Sequence, residues 1–487
     1  MYLGIDVGTS AVKTVLVDGD GAVVADRSEP LALETPRPGW CEQDPEAWWQ
    51  AVCASVQGLA GADGVDLGAV EAIGLSGQMH GAVCLDADMA VIRPAMLWND
   101  TRSHAEADRL AAVDDVEEIV GVRPMPGFTA TKVMWMRAHE PEAHARIAHV
   151  VTPKDHVRWR MTQALGVERS DAAGTCWLDQ SAREWSQAMC AASDTDPDWL
   201  PPLLDGTDGA GRLSGAAARA MGLRAGVPVA AGAGDAAAGA LGVGAVRPGE
   251  AFLSLGTSGQ VFAVTHGYRA APGTLVHSFA HALPDTWFQM ACLLNGASPL
   301  AWWAGACGGA SVGDLLAEAE GAPEGDVLFL PYLVGERTPL NDPYIRGAFY
   351  GLAQGVDRGT MTRAVLEGVA YSVCEARDAM ARADTTLESL GAIGGGARSD
   401  LFLQTVADAL EMPLHRYGGA ETGAALGAAR LARLSQGASL DEVATVPPVA
   451  RTFEPDRAAG ERHRERHRRF RTLYRALAPQ AQELGGL

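Results

Sequence analysis

Two acidic residues stand in glycine-rich surroundings where a carboxylate could serve phosphoryl chemistry. Asp6 lies within Gly4-Ile5-Asp6-Val7-Gly8-Thr9-Ser10. Small residues there let backbone N–H groups approach an anion, and the hydroxyls of Thr9 and Ser10 can add hydrogen bonds. A carboxylate at the mouth of such a turn repels phosphate directly, so its useful role is to hold Mg²⁺, through water, against phosphate oxygens. A local Asx turn is the plainer alternative. Asp235 stands alone in Ala231-Gly232-Ala233-Gly234-Asp235-Ala236-Ala237-Ala238-Gly239, at a strand-to-helix transition. An acid there can cap the helix. In a crevice free of bulky side chains it can also take the proton of a substrate hydroxyl during phosphoryl transfer. The two roles are compatible, and both carboxylates are candidate water-mediated ligands of Mg²⁺.

Around these acids lie further candidates. Gly256-Thr257-Ser258-Gly259 repeats the Gly-Thr-Ser of the first loop, and a pair of such hairpin loops can hold a nucleotide's phosphates in a chain with no G-x-x-x-x-G-K-[ST] loop. Lys13 either reaches a phosphate or is an exposed strand lysine. In Gly77-Gln78-Met79-His80-Gly81 the Gln and His can hydrogen-bond hydroxyls while Met packs on a carbon skeleton; a satisfied structural His is the alternative. Trp98-Asn99-Asp100-Thr101-Arg102 is a polar cluster suited to the same pocket, or a helix cap with a surface Arg. Gly394-Gly395-Gly396, leading to Asp400, either packs a tight turn or lets an adenine or ribose lie on the backbone at a helix start.

The elements that must position these residues alternate between strand and helix, an α/β pattern. Short strands are expected over residues 2–7, 12–17 and 22–27, with Asp18-Gly19-Asp20-Gly21 as a hairpin turn. A helix should start near Asp44-Pro45-Glu46, and a further strand is expected over 70–76. The strand, Gly-Thr-Ser, strand plan returns at 250–264. Two related lobes with a ligand cleft between them follow, with the junction over 243–249 and domains expected at 1–246 and 247–487.

Composition narrows the classes. With 487 residues, 47% apolar and 20% charged, the chain suits two or more folded domains. Its 39 Lys plus Arg against 60 Asp plus Glu give a net charge of −21, which argues against nucleic-acid and anionic-membrane partners. The basic run 462–471 reads as a solvated helix face. Eight scattered cysteines with no C-x-x-C pair argue against a zinc site or disulfide framework. The absence of a signal-like start or a long apolar run makes the cytoplasm the expected location.

In order and spacing these segments resemble the FGGY carbohydrate kinases over essentially the whole chain. Gly127-Phe128-Thr129-Ala130-Thr131-Lys132-Val133-Met134-Trp135 resembles the family's N-terminal signature. Gly347-Ala348-Phe349-Tyr350-Gly351-Leu352 through Ala364-Val365-Leu366-Glu367 resembles the C-terminal one, departing from it at Thr360, where an acidic, amide or His residue is usual. The resemblance implies a two-lobed actin, hexokinase and heat-shock-chaperone type of ATPase fold with ribonuclease H-like lobes. Through Gly77-Gln78-Met79-His80-Gly81, Trp98-Asn99-Asp100, Pro124-Met125-Pro126-Gly127-Phe128, Leu330-Pro331-Tyr332 and Gly335-Glu336-Arg337-Thr338-Pro339 it implies phosphorylation of D-xylulose at its 5-hydroxyl by ATP; a kinase for another ketose or polyol, such as ribulose, arabinitol or glucitol, is the alternative, and an actin- or chaperone-like ATPase switch the remote one. It further implies that Met79 and His80 contact sugar, Asp235 is the base, Asp6 supports Mg²⁺, Thr257 meets phosphate, and Gly395 and Gly396 lie near adenosine. A homodimer is also expected.

Overall fold

The computed structural model describes residues 1–323, 325–418 and 423–485. Strands β1 (Tyr2–Val7), β2 (Ala11–Val17) and β3 (Val23–Pro30) form the expected antiparallel meander. The Asp18 carboxylate closes the second turn by accepting from the amides of Asp20 and Ala22. Helix α1 (Pro45–Leu59) begins where Asp44 caps the Glu46 amide at 2.9 Å, with Pro45 at its first position. It buries Trp48, Val52, Val56 and Leu59, one apolar stripe at helical spacing.

Strand β4 (Ala72–Gly77), buried along its whole length, runs parallel to β1. Helices α2 (Thr129–His139) and α3 (Pro153–Thr162) follow, then β5 (Gly209–Arg212), β6 (Pro228–Ala230) and the short β7 (Ala233–Gly234). The sheet order is β5-β6-β4-β1-β2-β3, with β7 also paired to β4. Helix α4 (Asp235–Val243) starts directly after β7 and ends on Gly244, whose left-handed φ of 74° suits a helix stop.

The second lobe contains β8 (Ala251–Leu255), β9 (Gly259–Thr265), β10 (His277–Ala280), β11 (Trp287–Leu293), helix α5 (Arg358–Arg382), β12 (Leu390–Ile393), helix α6 (Asp400–Leu410), β13 (Leu414–Tyr417), helix α7 (Gly423–Ser435), β14 (Val449–Phe453) and helix α8 (Arg457–Glu483). Its sheet runs β10-β11-β9-β8-β12-β13-β14. The plan of the first sheet recurs. Three antiparallel strands (β3-β2-β1; β11-β9-β8) are followed by two added in parallel (β4, β6; β12, β13) and one antiparallel (β5; β14). The two Gly-Thr-Ser segments occupy the same turn in each plan. The second turn is one residue tighter, since Val7 pairs with Val12 whereas Leu255 pairs with Gly259.

The lobes are joined through more than the linking segment. Helix α7 lies on the first lobe's sheet so closely that a Cβ on Gly4 would stand 2.0 Å from the Ala425 carbonyl, and one on Gly74 1.9 Å from that of Ala428. It also crosses α4 backbone to backbone, where a Cβ on Gly427 would stand 1.8 Å from the Ala238 carbonyl. Among the described residues no helix is long and apolar enough to cross a membrane. All eight cysteines are free thiols.

Candidate active site

Between the lobes the cleft narrows to a pocket of about 180 Å³. The first lobe contributes Thr9, Met79, His80, Trp98 and Asp235; the second contributes Ser258, Gln260, His277, Cys292 and Arg337. Asp235 opens α4 at its floor, on a main chain fixed from behind: the Gly234 amide donates to Glu168 Oε1 at 2.9 Å and to Ser170 Oγ at 3.0 Å. The Asp235 side chain is reachable from the cleft, yet the walls that rise around it displace most of the surrounding water. That desolvation, with the charge of Asp6 next, pushes its carboxyl up to about 7 against the pull of the Ala236 amide. A base of that strength near neutral pH is available and still draws a proton well.

Asp6 faces Lys13 directly across the β1–β2 pair, so both side chains project from one face of the sheet. Ser76 Oγ donates to Asp6 Oδ1 at 3.0 Å. Burial raises the proton affinity of Asp6, while Ser76 and Lys13 oppose it. The loop beyond is tied from three sides. Thr9 Oγ1 donates to Gln78 Oε1 (2.9 Å) and accepts from Trp98 Nε1 (3.0 Å), and Gln43 Nε2 donates to the Thr9 carbonyl (2.7 Å). Gly8 and Ser10 complete this turn, with Ser10 exposed.

Several expected substrate contacts are thereby corrected. Gln78, 1% exposed, lies behind the Gly8-Thr9-Ser10 loop with its amide spent on Thr9, Gly8 and Gln43; it braces the loop and is not among the residues that line the pocket. Asp100 borders a wider outer chamber of about 720 Å³, but its Oδ1 accepts from the Arg102 amide and Nε, and its Oδ2 from the Cys41 amide and Arg102 Nη2. No oxygen is left for a ligand. Asp400, expected beside the nucleotide, gives its carboxylate to Arg416 at 2.5 Å and to Arg451, which makes it a structural post at the start of α6.

Met79 and His80 line the pocket. His80 Nδ1 stands 2.7 Å from the Gly174 carbonyl; because a carbonyl only accepts, Nδ1 carries the proton and Nε2 keeps its lone pair. Burial pushes the imidazole down to about 3, so it stays neutral. In the second loop the Gly296 and Ala297 amides hold the carbonyls of Thr257 and Gly256 at 3.0 and 2.7 Å, leaving Thr257 exposed. Gly394 carries the left-handed φ of 90° that brings Gly395 and Gly396 around the end of β12. Space beyond Gly395 is open, whereas a Cβ on Gly396 would stand 2.9 Å from that of Leu255.

In the second-lobe wall, His277 and Cys292 escaped the sequence reading, and Arg337 entered it without an assigned role. Arg337 hydrogen-bonds Cys292 and lies 6.0 Å from the Trp98 ring centroid; among the described residues no carboxylate pairs with its guanidinium. Its amide, with that of Leu294, donates to Glu336 Oε1. Burial and the Arg337 charge keep His277 neutral. Each is a lone residue in sequence; only its place inside Gly335-Glu336-Arg337-Thr338-Pro339 singled out Arg337.

The N-terminal domain of the FGGY family of carbohydrate kinases matches residues 1–242, and its C-terminal domain residues 251–435. The chain belongs to this family. The sugar kinase is 44% identical to the xylulose kinase of Escherichia coli K12 over 98% of this chain and 99% of that one. It is 41% identical to the xylulose kinase of Klebsiella pneumoniae at the same coverage. A crystal structure of a "xyloylose kinase" from Brucella ovis superimposes with a TM-score of 0.93 at 44% identity, covering 98% of this chain and 99% of that one. A Plasmodium falciparum glycerol kinase with ADP, 19% identical, shares the fold with a TM-score of 0.87 over 96% of each chain. The kinase thus has the two-lobed actin and hexokinase type of fold, and the family phosphorylates with ATP.

Proposed function

We propose that this kinase transfers the γ-phosphoryl group of ATP to the 5-hydroxyl of D-xylulose, with Asp235 as general base. The observation that carries this reading is the Asp235 carboxyl, pushed up to about 7 in a pocket that it lines together with Thr9, His80, Ser258 and Arg337. The xylulose kinases at 44% and 41% identity support the choice of sugar. Asp235 takes the hydroxyl proton as that oxygen bonds to phosphorus and the bond from phosphorus to the ADP oxygen breaks. Neutral Nε2 of His80 accepts from a sugar hydroxyl, Met79 packs on the carbon chain, and the Arg337 guanidinium faces the anionic end of the reaction.

Mg²⁺ fits this floor. Asp6 and Asp235 are the oxygen donors it favours, and because no third acid, histidine or thiol groups with them among the described residues, phosphate oxygens and water would complete its shell. Bound with ATP, the ion neutralises charge on the phosphate oxygens. Lys13, beside Asp6, and the amides of the two Gly-Thr-Ser turns serve the same charge, while Gly395 and Gly396 form the surface for adenosine. Water competes with the sugar as acceptor, so alignment should await closure of the lobes over substrate. The free thiols and the need for ATP suit a cytoplasmic enzyme.

The test is ADP release with Mg-ATP against D-xylulose, D-ribulose, L-ribulose, D-arabinitol, xylitol, glucitol and glycerol, with a no-sugar blank. A maximum in kcat/KM for D-xylulose is expected. A maximum for another sugar would leave the mechanism standing and remove the substrate assignment.

A further inference from the structure

His80 carries its imidazole into the pocket on a main chain that side-chain-bearing residues avoid, with φ at 69°. Such a conformation persists only where the surroundings hold it. Two donors meet its carbonyl: Lys132 Nζ at 2.8 Å and Thr129 Oγ1 at 3.0 Å. The same Lys132 Nζ donates to the Gly127 carbonyl at 2.7 Å. Gly127 in turn lies flat on Trp98, where a Cβ would stand 2.2 Å from the Trp98 carbonyl. Lys132 is thus the node at which the main chains beneath two walls of the sugar pocket meet.

The amine is an expensive choice for this place. Lys132 is fully buried in the first turn of α2, no carboxylate pairs with it among the described residues, and burial pushes it down to about 7. A methionine would fill the same volume without that penalty. What the amine supplies and a thioether cannot is two simultaneous donors, and it supplies them with or without its third proton.

We propose that Lys132 is a positioning residue of the sugar site, whose amine clamps the carbonyls of His80 and Gly127 and so sets the His80 imidazole and the Trp98 indole at their working separation. This rests on the reading of His80 as a sugar contact. With the ring also anchored through Nδ1 on Gly174, releasing the carbonyl frees the peptide plane and lets Nε2 swing off the hydroxyl it meets. The second Gly-Thr-Ser loop, held through Gly296 and Ala297, does not meet these carbonyls, and the first keeps its ties to Gln78 and Gln43 even where the bond from Trp98 Nε1 to Thr9 loosens.

Steady-state constants for Lys132→Met, Thr129→Val, His80→Ala and the Lys132→Met/His80→Ala pair test it, with thermal midpoints measured alongside. Lys132→Met should raise the sugar KM about tenfold, the effect of one mispositioned hydrogen bond, with the ATP KM within about twofold of the parent. On the His80→Ala background the same change should add less than about twofold. A full additional factor there, an unchanged sugar KM, or an equal rise in both KM values would overturn the clamp. Thr129→Val, which removes the second donor to the same carbonyl, should shift the sugar KM in the same direction; it decides the matter if Lys132→Met does not fold, and no shift in it overturns the proposal. If His80→Ala itself leaves the sugar KM unchanged, the assignment of His80 to the sugar falls and the clamp with it. If His80→Ala raises the KM and Lys132→Met does not, the clamp alone falls.

Discussion

The charge of Asp6 raises the proton affinity of Asp235, second only to burial among the causes. One carboxylate comes from β1, the other from the start of α4. Asp6, beside Lys13 and accepting from Ser76, is the better supported as an anion, so it ionises first and Asp235 must lose its proton in the field of that charge.

The pH profile should show this order. With Asp235 as base, kcat/KM should rise with pH along a limb centred near 7. In Asp6→Asn the surviving activity should follow a limb displaced to lower pH, because a charge that disfavours ionisation has gone. A limb that stays in place would mean the two carboxyls do not sense each other.

Stability should carry the opposite sign. The folded Asp235 carboxyl holds its proton up to about 7, whereas an unfolded one releases it near 3.8, so between those values the native state binds the extra proton. Its contribution is full below the lower value and lost as pH rises through the upper one. Asp235→Asn removes that loss. Its thermal midpoint should gain on the parent between pH 5 and pH 8 while kcat falls by about 10²–10⁴; an equal gap at the two pH values would refute the raised affinity.

Gln78 offers a test of placement. As a brace for the Thr9 loop, its replacement by Ala should lower kcat or raise the ATP KM by about tenfold, in line with a lost buried hydrogen bond, and leave the sugar KM within about twofold. A selective rise in the sugar KM would put Gln78 back in the pocket.

Helix crossing gives a fourth. Gly427→Ala places a methyl 1.8 Å from the Ala238 carbonyl and should destabilise by about 1–3 kcal/mol or more. Gly239→Ala, on α4 with open space around the position, should be neutral or stabilise by about 0.5–1 kcal/mol. Denaturant midpoints of the two variants read the difference, and equal midpoints would refute the packing argument.

What was legible in the sequence was what is decided locally. The turns after β1 and β8, the Asp44 cap and the strand-to-helix step at Asp235 follow from residues within a few positions of one another. Gln78 and Asp100 were read for their chemistry alone, and the direction of each was set by distant partners, Thr9 for one and Cys41 for the other. His277 and Arg337 belong to the other lobe, and a lone imidazole or guanidinium has no local pattern. Nothing in the Gly- and Ala-rich run of α7 announces that its partners are Gly4 and Gly74, hundreds of residues earlier.

That pairing sets a timetable for biosynthesis. The face of the sheet formed by β1 and β4 stays bare until Ser435, the last residue of α7, has left the ribosome. At about 5–20 residues per second the nascent first lobe waits roughly 20–70 s after β4 emerges before its cover arrives. A fragment ending at residue 246 would keep that face open permanently. The first lobe therefore cannot complete its packing before the second is made, and the two halves mature together.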